Sequence, residues 1–499
     1  MNTVRDLIDR AAAAQPDAVY ALATERDASL AYRALLASCR RVGAWLAAHG
    51  VAPGETVSLV MPNGLSTLRL LLGALWAGRC VNPVNLLAQP EQMRYVLEHS
   101  DCKAVFVAPE WEARVRELLA HAGRPVALVV VDADAGQLPG EGPEADAPPP
   151  APEDLALLMY TSGTTGKPKG VMLTQANLAA NAAAIAAEHA LGSADRVLGV
   201  LPLYHINAFA VTMLAPLASR GSVAMAPKFS AARFWAQAAQ ARCTWINVVP
   251  TIVSYLLEGE TPPREALARI RFCRSASAAL PPEHLRGFEQ KFGIGVIETM
   301  GLTETVAPSF SNPLDPARRK LGAVGRASGC EARIIDAALQ PVPDGTTGEL
   351  AIRGPNVMRG YYKNPEASAA AFTPDGWLRT GDLGHRDADG FFFVTGRIKE
   401  LIIKGGENIA PREIDEALLQ HPAVLDAAAV GIPDKHYGQE ILACIVLRAG
   451  ATCSEDALRE FCTGKLGRYK TPKVFRFVDE LPRGPSGKVQ RLKLLEWVG

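Results

Sequence analysis

The sequence has no C-x-x-C pair among its nine cysteines and an equal number, 52, of basic and acidic residues. Nor does it contain an uninterrupted apolar run approaching the roughly 20 residues of a membrane span. The cysteines (39, 80, 102, 243, 273, 330, 444, 453 and 462) are scattered and odd in number. That argues against a disulfide framework or a zinc site and for reduced, mostly buried thiols. With charges balanced, no global field recruits nucleic acid or an anionic membrane. The N-terminal "MNTVRDLIDRAAAAQPDAVYAL" is interrupted by Arg5, Asp6, Asp9 and Arg10, so it reads as an amphipathic helix and not a signal peptide. Cytoplasmic residence without integral membrane contact is the expectation. No internal repeat is present.

What the chain does have is length and ordinary globular composition, with 48% hydrophobic and 21% charged residues over 499 positions. Single cores stop growing at roughly 250–300 residues, so two or more folding units are expected. Short apolar runs (56–61, 103–108, 126–132) alternate with Ala/Leu-rich helical stretches (33–49, 66–77, 111–121), the rhythm of parallel strands and crossover helices. Residues 133–154 are Pro-, Gly- and acid-rich and read as an exposed connector. From about 322 to 395, glycine-punctuated short strands predict a small antiparallel or barrel-like unit. From 400 onward the pattern is β-α-β-β-α-β, a self-contained unit of about 100 residues, an ordinary domain size.

The densest chemistry lies in "YTSGTTGKPKGV" (160–171), entered by the buried-strand run "LALLMY" and followed by "LTQANLAANAAAIAAEHALG", a helix with Thr174 as its N-cap. On this reading the glycine loop joins strand to helix. Glycine lets backbone amides approach a ligand, successive N–H groups form an anion-binding concavity, and hydroxyls and lysines add donors and charge. Polyphosphate is the guest such a loop suits. It is not a Walker A loop: Gly163 and Gly166 are too close and Pro168 follows Lys167.

Together with the rest of the chain, this segment resembles the signature of the adenylate-forming superfamily, which includes acyl-CoA synthetases, luciferases and peptide-synthetase adenylation domains. The resemblance covers essentially the whole chain. It implies an α/β fold with a large N-terminal region, residues 1–396, of two mixed α/β subdomains and a small β-barrel-like one. A hinge at 397–400, centred on Lys399, would lead to a mobile α+β C-terminal domain, 401–499. It further implies that Thr161, Ser162, Gly163, Thr164, Thr165, Gly166 and Lys169 hold the ATP phosphates. "ETMGLTET" (298–305) resembles the next motif, with Met300 and Gly301 at the adenine, Thr303 at the α-phosphate and Glu304 binding Mg²⁺. A carboxylate among phosphates makes sense only with a metal between them. Met300 departs from the usual tyrosine, although a thioether still packs on a ring.

By the same resemblance Asp382 in "LRTGDLG" and Arg397 bind the ribose, and Lys488 in "LPRGPSGKVQR" is the catalytic lysine. Its task is physical: two unit charges 4 Å apart repel by about 4 kcal/mol at an effective dielectric of 20, and a lysine between carboxylate and α-phosphate removes that repulsion. Gly405 and Gly406 would line a pantetheine tunnel for coenzyme A, the thiol expected in preference to a carrier protein. "LPLYHINAF" and "RSASAAL" resemble acyl-pocket walls, pointing to His205 and Asn207, and to Ser275, Ala276 and Ser277. Read as a wall of small residues, the second segment presents no clear basic partner for a second carboxylate, which would be costly to bury unpaired. A small or medium acyl or aryl monocarboxylic acid is therefore expected. An oxalate- or malonate-type dicarboxylate ligase and a carrier-loading acyl-AMP ligase are the alternatives.

Overall fold

A computed structural model of the chain describes residues 2–120, 123–134, 138, 143–161, 167–484 and 489–497. Two large sheets form its greater part. In the seven-stranded sheet, Cys80–Pro83, Thr56–Val60, Ala104–Val107 and Ala127–Val130 run parallel. Every residue of the central Thr56–Val60 and Ala104–Val107 is buried, because helices cover both faces of a parallel sheet. The helix Leu65–Trp76 is buried at all twelve positions; most are apolar, as an interior helix requires, and its one charged side chain, Arg69, donates to Ser38 Oγ at 2.8 Å. These elements match the strand and helix rhythm expected for the first 132 residues.

The nine-stranded sheet has a parallel centre of Val296–Met300, Phe272–Ser275, Trp245–Val248, Arg196–Gly199, Ser222–Met225 and Val19–Ala23. Ligands of open α/β sheets gather at the carboxyl ends of such strands. Three of the ends matter below: those at Val248, Ser275 and Met300.

The glycine loop does not join a strand to a helix. Leu155–Thr161 pairs antiparallel with a further strand, Lys169–Thr174, and only then does the helix Gln175–Glu188 begin. The strands that flank the loop are thus the two arms of a hairpin. Val171 and Leu173 are buried while Met172 and Thr174 are half-buried, a period-2 pattern too short to stand out beside the alanine-rich helix. Thr174 is the N-cap as expected, accepting from the Asn177 amide at 3.2 Å, with Asn177 completing the capping box.

Glu331–Ile335, Gly348–Arg353, Leu378–Arg386 and Phe392–Arg397 make a four-stranded antiparallel sheet in linear order. The C-terminal part has its own five-stranded sheet, covered by Pro411–Leu419 and Glu455–Lys470 around Ile402, Ile414, Leu418, Ile445, Leu458 and Phe475. It adds one strand to the expected pattern. Glu407–Ile409 pairs with Ile402–Lys404 across Gly405 and Gly406, whose φ values of +54° and +88° are those a two-residue hairpin turn demands. All cysteines except the half-buried Cys330 and Cys453 are buried. Among the described residues no helix is long and apolar enough to cross a membrane.

Candidate active site

At the end of Val296–Met300 the chain turns through Gly301 into a 3-10 turn, Thr303–Thr305. Gly301 is hemmed in, since a Cβ there would lie 2.8 Å from the α-carbons of both Ala307 and Pro308. Two buried amides clamp the loop that follows. Asn181 donates to the Pro308 carbonyl at 2.8 Å, and Asn356 donates to the Thr305 carbonyl at 3.0 Å. Gly301→Ala should therefore displace this loop, costing about 1–3 kcal/mol as an overpacked site does. A lowered melting temperature would show it; an unchanged melting curve would count against it.

Glu304 stands on this clamped turn and accepts a hydrogen bond from the Tyr361 hydroxyl at 2.9 Å. Burial, reinforced by the Glu304 charge, raises the Tyr361 phenol far above its ordinary range, so it remains a donor. Tyr361 pairs with Val171 of the hairpin strand, which brings the Lys169 ammonium to 4.8 Å from the tyrosine ring. The last cation of the glycine-loop motif and the acid of the second motif thus meet on the two sides of one phenol.

Asp382 and Arg397 are direct partners on neighbouring antiparallel strands. Arg397 Nε donates to Asp382 Oδ1 at 2.6 Å and Nη2 to Oδ2 at 3.4 Å, with the aspartate side chain only 7% exposed. Burial works against the arginine cation, but Asp382 first, then Glu400 and Glu304, outweigh it and keep Arg397 charged. Glu400 in turn lies 3.3 Å from Arg491, which also binds Asp415. Charges of alternating sign therefore run from the Asp382 pair across residues 398–400 into the C-terminal sheet.

Ser162, Gly163, Thr164, Thr165, Gly166 and Lys488 lie outside the described residues. The chain on either side of Lys488 is tethered, by Arg483 to Asp426 and by Arg491 to Asp415 and Glu400. Lys399 is exposed in the 3-10 turn Ile398–Glu400. Gly405 engages its own part of the chain: its amide donates to Tyr437 O at 2.8 Å, and a Cβ there would come 3.0 Å from the Tyr469 hydroxyl.

Of the acyl-pocket candidates Asn207 and Ser277 meet, and the expected composition of this wall needs one correction. Asn207 donates to Ser277 Oγ at 3.3 Å, Ser275 and Ala276 are buried, and the His205 ring sits edge-on 4.8 Å from Tyr204. The reading that this wall lacks a basic residue does not hold. Arg274, first residue of "RSASAAL", is completely buried and donates through Nη1 to Asn207 Oδ1 and Asn247 Oδ1, both at 2.7 Å. Tyr361, Asn181, Asn356, Asn247 and Arg274 all escaped sequence reasoning. Only Arg274 left a signal, as a basic residue inside a strand of otherwise small or apolar character.

Glu298, which opens the second motif, is nearly buried on the same sheet, and burial pushes its carboxyl up to about 7, with Arg412 opposing and Glu416 adding to the rise. A raised carboxyl pKa stabilises the fold below the unfolded value near 4.5 and loses that contribution as pH rises through 7. Glu298→Gln should accordingly be more stable than the parent at pH 8 and no more stable at pH 4. Melting temperatures across that range test it; parallel curves would sink it.

The structure thus sets an acid held by a phenol beside a lysine-bearing hairpin, adds an Asp–Arg cross-strand pair, and carries a separate C-terminal sheet. The chain belongs to the AMP-binding enzymes, matching that family over residues 8–362 and its C-terminal domain over 413–488. It is an AMP-forming carboxylic acid–CoA ligase with ATP and CoA as substrates. It is 58% identical to a sulfoacetate–CoA ligase of Cupriavidus necator over 99% of this chain and 97% of that one. An oxalate–CoA ligase of Arabidopsis thaliana is 37% identical over 89% of this chain and 88% of its own. Among solved structures, ATP-bound MatB from Rhodopseudomonas palustris superposes with a TM-score of 0.93 at 31% identity, covering 100% of this chain and 99% of that one.

Proposed function

We propose that the enzyme activates a small acid of the sulfoacetate type: its carboxylate attacks the α-phosphate of ATP, pyrophosphate leaves, and CoA then takes the acyl group and releases AMP. The 58% identity to a sulfoacetate–CoA ligase supports this choice of acid. The observation that carries the nucleotide assignment is the convergence of Lys169, Tyr361, Glu304, Arg397 and Asp382 from segments up to 228 positions apart in sequence, the difference between 397 and 169.

Asp382 accepts from the ribose hydroxyls while Arg397 fixes its orientation and contacts the sugar. Thr303 and Lys169, with the loop residues Thr161, Ser162, Gly163, Thr164, Thr165 and Gly166, hold the phosphates, and Met300 with Gly301 lies against the adenine. Glu304 suits Mg²⁺, an ion commonly held by one or two carboxylates together with substrate phosphates. Bound there, the ion would neutralise phosphate charge. Tyr361 keeps the Glu304 carboxylate oriented toward that task. Lys488 bridges carboxylate and α-phosphate during the attack.

Residues 1–396 form the nucleotide- and acid-binding domain, 397–400 the hinge and 401–499 the domain that alternates between the two half-reactions. Lys399 is the pivot, and Gly405 and Gly406 line the path of the CoA thiol. His205, Asn207, Ser275, Ala276 and Ser277 enclose the acid. In an assay of AMP release and thioester formation, sulfoacetate with ATP, Mg²⁺ and free CoA should be turned over, and EDTA should stop the reaction. Transfer only to a holo-carrier protein, or turnover of dicarboxylates alone, would overturn the proposal.

A further inference from the structure

Among the described residues Arg274 is a buried cation with no ion-pair partner. It is 0% exposed, and its hydrogen-bond partners, Asn207 and Asn247, are neutral amides. Both go to Nη1, whose two N–H groups they consume. Nε and Nη2 have no partner among the described residues, leaving three N–H donors pointing into the protein interior. A buried ion is expected to be paired, and donors left unmade carry the full cost of their lost hydration. The surroundings reinforce the point. His189, which feels the charge of Arg274, is held neutral by burial first and by Arg274 second, with its pKa lowered to about 3. Its Nδ1 lies 3.0 Å from the Ile185 carbonyl, so that nitrogen carries the hydrogen and the other presents only a lone pair.

The position is that of a ligand group and not of an interior brace. Arg274 and Asn247 are paired in register near the carboxyl ends of Phe272–Ser275 and Trp245–Val248, the edge at which Val296–Met300 delivers the Thr303–Glu304 turn. Asn207 belongs to the pocket segment that also carries His205. The Nε–Nη2 edge of a guanidinium is a flat two-pronged fork that fits two oxygens of a carboxylate or sulfonate.

Resting on the reading that the substrate is a small acid, we infer that Arg274, oriented by Asn207 and Asn247, is the specificity-determining residue that receives a second anionic group of that acid, at the end away from the carboxylate being activated. A sulfonate or a second carboxylate supplies the missing counter-charge. An uncharged alkyl group leaves the fork unpaired in the interior. The asparagines hold the guanidinium by one nitrogen so that the opposite edge is presented.

The test is the ratio of kcat/KM for sulfoacetate to that for propionate, with malonate as a third arm, in the parent enzyme, Arg274→Met and Arg274→Lys. The parent should prefer the dianionic acids by at least about 10²-fold, as sites built to pair a polar group reject analogues lacking it. Arg274→Met should bring the ratio to within about threefold of unity, chiefly through KM. A merely destabilised protein would lose both activities together and keep the ratio. Should Arg274→Met fail to fold, Arg274→Lys carries the test: it retains charge, loses the fork, and should lower the preference about tenfold. The higher of the sulfoacetate and malonate rates identifies which anion the fork takes. A preference that survives in Arg274→Met, or a parent enzyme that favours propionate, overturns the assignment. A parent enzyme inactive on all three acids overturns the substrate reading itself, and the role of Arg274 with it.

Discussion

Lys488→Ala will abolish formation of the acyl-adenylate while thioester formation from supplied acyl-AMP and CoA persists. The carboxylate and the α-phosphate carry like charges, and their repulsion at 4 Å is about 4 kcal/mol at an effective dielectric of 20. A cation between them that is absent from the ground state lowers the barrier by a similar amount, which is about 10³ in rate. The second half-reaction has no such encounter of anions, so it has no use for that lysine. Gly406→Leu should do the opposite. Its φ of +88° is strained for leucine, and the side chain would project from a turn whose surroundings are open to 4 Å. Pyrophosphate exchange into ATP reports the first step and CoA-dependent AMP release from acyl-AMP the second. Both variants failing in the same half-reaction would refute alternation of the C-terminal domain.

Glu304→Gln is expected to slow adenylation by at least about 10²-fold and to raise the Mg²⁺ concentration needed for half-maximal rate. The substitution separates chemistry from architecture. A glutamine carbonyl still accepts from the Tyr361 hydroxyl, which Glu304 now does at 2.9 Å, so the clamped turn keeps its contact. Only the charge is lost. An unchanged Mg²⁺ requirement with normal turnover would remove Glu304 from the metal. Tyr361→Phe tests the complementary role, and its smaller loss should be confined to the same half-reaction.

The family and its reaction class were legible because the motifs are short and contiguous: the glycines and hydroxyls of the first suit phosphate by their own chemistry, whereas the metal role of Glu304 and the ribose role of Asp382 came with the resemblance. The parallel-strand rhythm was legible for the same reason, since burial on both faces leaves runs of uninterrupted apolar residues. What escaped was made by pairing. The strand Lys169–Thr174 took its identity from the hydrogen bonds of Leu155–Thr161, and helix-like composition downstream obscured it. The Tyr361–Glu304 bond joins positions 57 apart, and Asn181 reaches Pro308 across 127. No local pattern encodes such contacts.

Arg271 and Arg274 show the division. By itself the sequence determined that the chain has more apolar residues than one core holds and pointed to its family and reaction class, with candidate nucleotide-binding side chains placed in short motifs. Of two arginines three positions apart it marked Arg274 only faintly, by the small and apolar residues around it, and gave no partner for either. The tertiary structure did: Arg271 lies at the sheet margin, 2.6 Å from Asp195 and partly in solvent, whereas Arg274 is sealed between amides with three of its five N–H donors unused among the described residues. Which charge is solvated and which awaits a ligand depends on what packs over each, and packing is a property of the assembled sheets.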